Sequence, residues 1–387
     1  EEHKHMPGIL IVHASLGTGH ISAAAALSEA FSREGRDVVV VDVLDYANPV
    51  MRAALNQYFK QTTQRTPQLY KLLYDQSDTT DASEAFNGNR LLTMLERPFL
   101  SQFEQLVADL RPDAVISVHP MPGHILAHNK QQGLLPQPLY VVVTDYMAHS
   151  SWLVPGVDAY FVPSEFTRRG LMLRGVPDER IVVTGIPVNL EISEPKDPAE
   201  MRARYDLPQD RPVLGLFGGG IDVERVRLMV IQLLEGRTEG TLVVVAGRNE
   251  QLQEALADLG DGPCLGLRVY GMIDHVDDIV AASDLVISKA GGLIVSEVLA
   301  RGTPMVIIDP IPGQEEWNAD VVAGAGAGIQ LRMPETVPPA ALYLLSQPER
   351  LELMRRQARL IGRPRAAMDV AGHVLEGLAA PREAATA

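Results

Sequence analysis

The sequence predicts an α/β chain of two parallel-sheet domains, on three observations. Its 387 residues exceed the roughly 250–300 at which a single core stops growing. Short apolar runs alternate with helical stretches in both halves, the pattern of parallel strands joined by crossover helices. Two runs end in glycine turns that open helices: Ile9-Leu10-Ile11-Val12 before Gly17-Thr18-Gly19-His20, and Leu285-Val286-Ile287 before Ser288-Lys289-Ala290-Gly291-Gly292. Glycine lets the backbone turn sharply and approach a ligand. A helix N-terminus then offers free N–H groups to an anion. Two such turns, one near each end of the chain, predict two domains facing one phosphorylated ligand.

The elements follow in order. The alanine-rich stretch from His20 to Arg33 reads as a helix that Gly35 ends. Residues 38–41, all valine, read as a strand covered on both faces. Residues 50–110 read as helical. Strands are expected at 114–118, 139–144, 159–162 and 181–184, each followed by Pro, His, Asp or Ser. Polar groups therefore gather beyond the strand ends, where open α/β sheets bind ligands. Residues 186–210 hold Pro187, Pro195, Pro198 and Pro208 among many charges and read as a linker. The pattern restarts with a strand at 213–217 and Gly218-Gly219-Gly220, then 242–245 and Gly247-Arg248-Asn249, then short strands at 269–270, 285–287 and 305–308. The expected domains are 1–188 and 189–345. Residues 346–387 are expected as C-terminal helices, returning to the N-terminal domain, and a frayed tail.

Composition narrows the function. The 46% hydrophobic and 21% charged content is that of an ordinary globular protein. The apolar runs fall far short of the ~18 residues a membrane span needs, and the opening residues carry no signal-peptide pattern. A single cysteine, Cys264, precludes an intrachain disulfide and fits a reducing cytoplasm. A formal net charge of −15 argues against nucleic-acid binding, which needs a basic footprint. Residues 51–74 run against that balance. Arg52, Lys60, Arg65 and Lys71 stand there without an acidic residue, interleaved with Tyr58, Phe59, Tyr70 and Tyr74. Cations mixed with aromatics suit a membrane interface.

The chemistry gathers at the glycine turns. The N–H groups around Gly291 and Gly292 suit a diphosphate, and Lys289 adds a point charge. Glu297, inside the following helix, suits the two hydroxyls of a ribose. Gln314 and Glu315 offer adjacent acceptors for sugar hydroxyls. His20, on the first turn of its helix, is the first choice for a general base, since a helix N-terminus disfavours the imidazolium. Asp145 is the rival base, or a partner that orients a histidine. His119 and His149 flank strand ends and are placed on the acceptor side.

The chain resembles the glycosyltransferase family of monogalactosyldiacylglycerol synthases and processive diacylglycerol glucosyltransferases. More distantly it resembles the transferase that adds N-acetylglucosamine to the lipid-linked peptidoglycan precursor. The resemblance runs over residues 8–375. It is carried by Gly17-Thr18-Gly19-His20, Tyr70-Lys71-Leu72-Leu73-Tyr74, Thr144-Asp145-Tyr146 with His149 and Trp152, Gly185-Ile186-Pro187-Val188, Gly247-Arg248-Asn249, Ser288 to Glu297, and Pro312-Gly313-Gln314-Glu315. It implies two facing Rossmann-like domains, the GT-B arrangement. It also implies a UDP-sugar donor on the C-terminal domain, a diacylglycerol-like acceptor on the N-terminal one, and inversion at the anomeric carbon with no catalytic metal or cofactor. By matched position, Glu297 binds the ribose, Gln314 and Glu315 contact the hexose, and Met272 and Ile273 flank the uracil. Arg248, Gly219 and Gly220 line the nucleotide cleft. Gly19 and Asn318 join the donor set, and Trp152 the acceptor side. Trp317-Asn318 is locally closer to the peptidoglycan enzyme. The resulting expectation is a hexosyltransferase peripheral to the cytoplasmic face of the membrane. The alternatives are a transferase with a lipid-linked or small soluble acceptor, a UDP-sugar 2-epimerase, and a UDP-sugar sensor without turnover.

Overall fold

A computed structural model of the chain describes residues 8–50, 52–55, 57, 67–308 and 310–380. It divides into two compact units, residues 1–190 with 365–387, and residues 191–364.

In the N-terminal unit, β1 (Ile9–His13), β2 (Val38–Asp42), β3 (Ala114–Ser117), β4 (Leu139–Val142), β5 (Ala159–Val162) and β6 (Ile181–Val183) form one sheet, ordered β2-β1-β3-β4-β5-β6. Every pairing is parallel, with Val12 beside Ser117 and Ser117 beside Val141. The segments after β1, β3 and β4 therefore leave from one edge, and they carry His20, His119, Thr144 and Asp145.

One face of the sheet buries Ile9, Ile11, Ile116, Val142 and Phe161 against the helices Thr18–Arg33 and Ala366–Ala379. Alanines at 24, 26, 30, 367 and 371 sit in this contact, and their small side chains let helices lie close to each other and to the sheet. The last helix thus returns to the N-terminal unit. Each large side chain buried here contributes roughly 1.5–3 kcal/mol.

Residues 38–41 depart from expectation. β2 pairs only with β1, at the sheet edge, and Val39 and Val40 are about 40% exposed (42% and 41%). A continuous valine run marks a strand but does not say that both faces are covered.

In the C-terminal unit, β7 (Val213–Phe217), β8 (Gly240–Val245), β9 (Leu265–Tyr270), β10 (Leu285–Ser288), β11 (Met305–Ile308) and β12 (Gly328–Leu331) are ordered β12-β11-β10-β7-β8-β9, again all parallel. The edge strand β12 is short, half-buried and carries Gln330, so it lacks the apolar run that marks the others. The helix Pro348–Ile361 buries Leu351 and Met354 in the core of this unit. The C-terminal unit therefore extends to Pro364, and only the last helix crosses back.

Candidate active site

In the N-terminal unit the chain leaves β1 through Gly17, whose φ of 101° requires glycine, and enters the helix Thr18–Arg33. No side chain caps this end, so its first N–H groups are available to a ligand. His20 lies on the first turn, half-buried. Its Nδ1 is 2.8 Å from the Val118 carbonyl oxygen and 3.0 Å from Thr144 Oγ1. A carbonyl can only accept, so Nδ1 carries the proton and Nε2 keeps the lone pair. Burial pushes His20 down to about 4; the bond to Val118 opposes that and the nearby His13 adds to it. The ring is neutral across the physiological range.

The surrounding rings are held by structure. His119 packs edge-on to His20 at 4.6 Å between ring centroids, and its Nδ1 accepts from the Met121 N–H at 3.1 Å, capping the helix Pro120–Gln131. Burial holds it well below the usual imidazole range, with His20, His124 and His13 adding to the effect. His149 is buried; its Nδ1 accepts from the Ser151 N–H at 3.0 Å, and Nε2 donates to the Tyr74 carbonyl at 3.0 Å. Trp152 is 2% exposed and lies 6.3 Å from the His20 ring. His149 and Trp152 are therefore held as packed supports beside His20. Asp145 is also buried, whereas His20 is half-open and has a fixed tautomer. Of the two candidate bases, His20 has the geometry of one.

The segment at 149–152 is tied to the helix Pro67–Ser77. Ser150 Oγ donates to the Ser77 carbonyl at 2.9 Å, and the Ser150 N–H donates to Asp78 Oδ1 at 2.8 Å. Asp78 Oδ2 is held by Arg174 at 2.6 Å, a largely buried pair. The free face of this helix exposes Leu69, Leu72 and Leu73, and the helix Ala82–Glu96 exposes Leu91, Leu92, Met94 and Leu95. Arg52 and Lys71 were expected as unopposed cations, but they pair with Asp45 at 3.0 Å and Asp75 at 3.5 Å, acids from just outside that stretch. Tyr58, Phe59, Lys60 and Arg65 lie outside the described residues.

In the C-terminal unit three segments converge at the sheet edge. A Cβ on Gly219 would lie 2.7 Å from the Ala246 carbonyl oxygen, so only glycine lets the turn after β7 meet the end of β8. Gly220 opens toward Lys289, whose Cδ would be 3.9 Å from an added Cβ. Gly291 precedes the helix Gly292–Arg301, which has no side-chain cap, so a second set of N–H groups is available to an anion. The Glu315 Oε2 accepts from the Ile311 N–H at 2.7 Å, while Oε1 would lie 3.5 Å from a Cβ on Gly291. Glu315 thus spans two loops; burial pushes its carboxyl up and Lys289 pulls it back. Glu297 is half-buried, and burial, with Asp277 nearby, raises it to about 8.

Asn318 is wholly buried, and its Nδ2 donates to the Ala290 carbonyl at 2.9 Å. It fixes the glycine turn from behind. Gln314 begins the helix Gln314–Gly324, and the Glu316 carboxylate caps that end through the Gly313 N–H at 3.1 Å. Met272 is exposed, Ile273 half-buried and Arg248 exposed, all beyond strand ends of this sheet. Glu191, His275 and Asp277 form a trio of metal-ligand type. Glu191 pairs with His275 at 2.9 Å, and Asp277 is held by Lys196 at 2.7 Å and Arg301 at 2.5 Å, so the trio reads as an ion-pair network.

His13, His124 and the Thr144 hydroxyl did not emerge from the sequence as site groups. His13 and His124 are buried, each with an Nδ1 that has no hydrogen-bond partner. Thr144 stood in the Thr144-Asp145-Tyr146 motif and His13 at a strand end, but neither side chain was singled out.

Comparison with known proteins follows the same division. Residues 20–188 match the monogalactosyldiacylglycerol synthase family model, and residues 217–368 match the glycosyltransferase family 28 C-terminal domain. The chain is 28% identical to a processive diacylglycerol beta-glucosyltransferase of Bacillus mycoides (strain KBAB4) over 379 residues, covering 98% of this chain and 95% of that protein. Among solved structures, Acinetobacter baumannii MurG superposes with a TM-score of 0.60 at 18% identity, over 95% of this chain and 99% of that one. The UDP-GlcNAc 2-epimerase of Neisseria meningitidis, solved with UDP-GlcNAc, gives 0.59 at 13%, over 95% and 99%. The fold is of the GT-B type, and transferases share it with epimerases.

Proposed function

We propose that this chain, whose two parts match a monogalactosyldiacylglycerol synthase model and a glycosyltransferase family 28 C-terminal domain, moves a hexose from a UDP-sugar to the hydroxyl of diacylglycerol or a closely related lipid alcohol, with inversion. The observation that carries the reading is His20, with Nδ1 held by Val118 and Nε2 kept as the base. A sensor without turnover has no need of a tautomer fixed in this way, and the lipid dependence of UDP release separates transfer from epimerisation.

In the proposed step the acceptor O–H gives its proton to His20 Nε2. Its oxygen attacks the anomeric carbon, and the bond from that carbon to the diphosphate oxygen breaks, so UDP leaves with the electron pair. The uncapped N–H groups at Gly291-Gly292 and the charge of Lys289 stabilise the departing diphosphate. Glu297 takes the ribose hydroxyls, and Gln314 with the free oxygen of Glu315 takes the hexose.

The exposed leucines of Pro67–Ser77 and Ala82–Glu96 are assigned to the membrane surface. Among the described residues no helix is long and apolar enough to cross a membrane, and the contact we propose is peripheral. Leu91→Gln with Leu95→Gln should reduce sedimentation with diacylglycerol vesicles; unchanged sedimentation would remove that face from the interface.

The experiment for the reaction is UDP release with several UDP-sugars, with and without diacylglycerol in mixed micelles. Lipid-dependent release supports transfer. Release that is indifferent to lipid, with free sugar as product, returns the epimerase reading.

A further inference from the structure

A small cavity of mixed lining lies in the N-terminal unit, with a volume of about 190 Å³. This is below the roughly 300–1,000 Å³ of sites for larger ligands, so it suits a single small ring. One wall is the helix Ala82–Glu96, through Phe86, Asn87 and Arg90; another is the helix Pro120–Gln131, through His124, His128 and Gln131. Val154 and Pro155 close it with apolar surface.

The hydrogen-bonding groups are mixed and almost neutral. Asn87 and Gln131 each offer donors and an acceptor. Arg97 donates to His128 Nε2 at 3.2 Å, so the His128 proton sits on Nδ1. His124 Nε2 donates to the Ser151 carbonyl at 2.7 Å, which leaves its buried Nδ1 as an acceptor without a partner. No carboxylate lines the cavity, and Arg90, on the exposed side, is its one formal guanidinium cation. Planar amides and a guanidinium around an apolar wall match a pyranose, which presents hydroxyls at its rim and C–H groups on its faces. A phosphate would call for more cations.

We propose that this cavity binds a neutral hexose ring, the headgroup of a hexosyl lipid, apart from the residues assigned to UDP. The proposal rests on the glycolipid reading above. Two features favour a lipid-linked ring over a free sugar. Leu91 and Leu95, on the same helix, are 60% and 62% exposed and offer apolar surface for a tail. Asn89, which also lines the cavity, donates to the Ser150 and Leu153 carbonyls at 3.0 and 2.7 Å. That segment carries Trp152, which stands beside His20. The cavity is therefore one loop away from the proposed base.

The test uses the full chain and the double variant Asn87→Leu/Gln131→Leu; both residues are exposed and outside the donor and base groups. Methyl β-glucoside and methyl β-galactoside are titrated in solution, and hexosyl-diacylglycerol in vesicles, with diacylglycerol vesicles and inorganic phosphate as references. The expected result is saturable glycoside or glycolipid binding that weakens at least about tenfold in the variant, with UDP affinity and diacylglycerol-dependent UDP release unchanged. Equal sugar binding by both proteins, or phosphate binding in place of sugar, overturns the proposal. Variant-sensitive sugar binding without transferase activity would support the cavity while the reading of the reaction failed.

Discussion

Glu297 offers a quantitative test of the donor site. Its carboxyl titrates near 8 because it is buried, with Asp277 adding to the shift, so the empty site holds it mostly protonated at neutral pH. Ribose hydroxyls donate to the charged form and favour it. UDP binding should therefore release a proton, and affinity should fall as pH drops below 8. With a titration point near 8, the ionised fraction is roughly three-quarters at pH 8.5 and about 3% at pH 6.5, a ratio of roughly 25. That is the upper limit, reached if only the carboxylate binds. UDP itself titrates nearby, so the reference is Glu297→Gln, which keeps an acceptor but cannot ionise. Calorimetry in two buffers of different ionisation heat would give the affinity and the proton count together. Wild-type affinity should drop up to about 25-fold more than that of the variant over this range. Parallel curves with no proton released by the wild type alone would refute the placing of Glu297 against hydroxyl donors.

Other consequences follow from the same geometry. His20→Ala should lower transfer by about 10²–10⁴-fold with UDP affinity unchanged; comparable turnover would remove His20 from the base role. With donor saturating, kcat/KM for the lipid should hold from pH 8 to pH 6, since His20 titrates near 4; a limb near 6.5 would show an ordinary, solvated histidine. His124 is neutral when folded and titrates near 4, so it binds fewer protons folded than unfolded, and its contribution declines as pH falls below 6.5. Between pH 7.5 and 5.5 the wild type should lose about 1.4 kcal/mol more than His124→Asn in denaturant unfolding; equal losses would contradict its burial as a neutral ring. Arg174→Ala leaves Asp78 buried without its cation and should cost about 3–5 kcal/mol, read as a lower melting temperature and as faster hydrogen exchange in the helix Pro67–Ser77.

How much of this was legible in the sequence depends on what the pattern encodes. Strands β1, β3, β4, β5, β7 and β10 are continuous apolar runs because the sheets bury them on both faces, so the runs located them. β2 has the same composition at an edge, and β12 is half-buried and too polar to signal. The glycine turns were readable because their roles are local. Gly17 needs its positive φ, and Gly219 must pass the Ala246 carbonyl. Residue type also led to His20, Glu297 and Glu315. At His149, and at Trp152 and Asn318, which the resemblance supplied, position in the chain was readable but the direction of the side chain was not. His149 is bonded on both ring nitrogens, and Asn318 points into the core to hold Ala290. Burial of His124 and its unmet Nδ1 depend on packing between two helices and a loop, which no local pattern records.

The central claim is that the hexose of a UDP-sugar becomes covalently attached to a lipid hydroxyl with His20 as base. The most direct measurement follows the label from a UDP-[¹³C]hexose into lipid extracts by mass spectrometry, with diacylglycerol present, for the wild type and His20→Ala. The account expects labelled monohexosyl-diacylglycerol from the wild type alone, with both proteins binding UDP equally. Label that stays in water as free sugar, or equal glycolipid from both proteins, would contradict it.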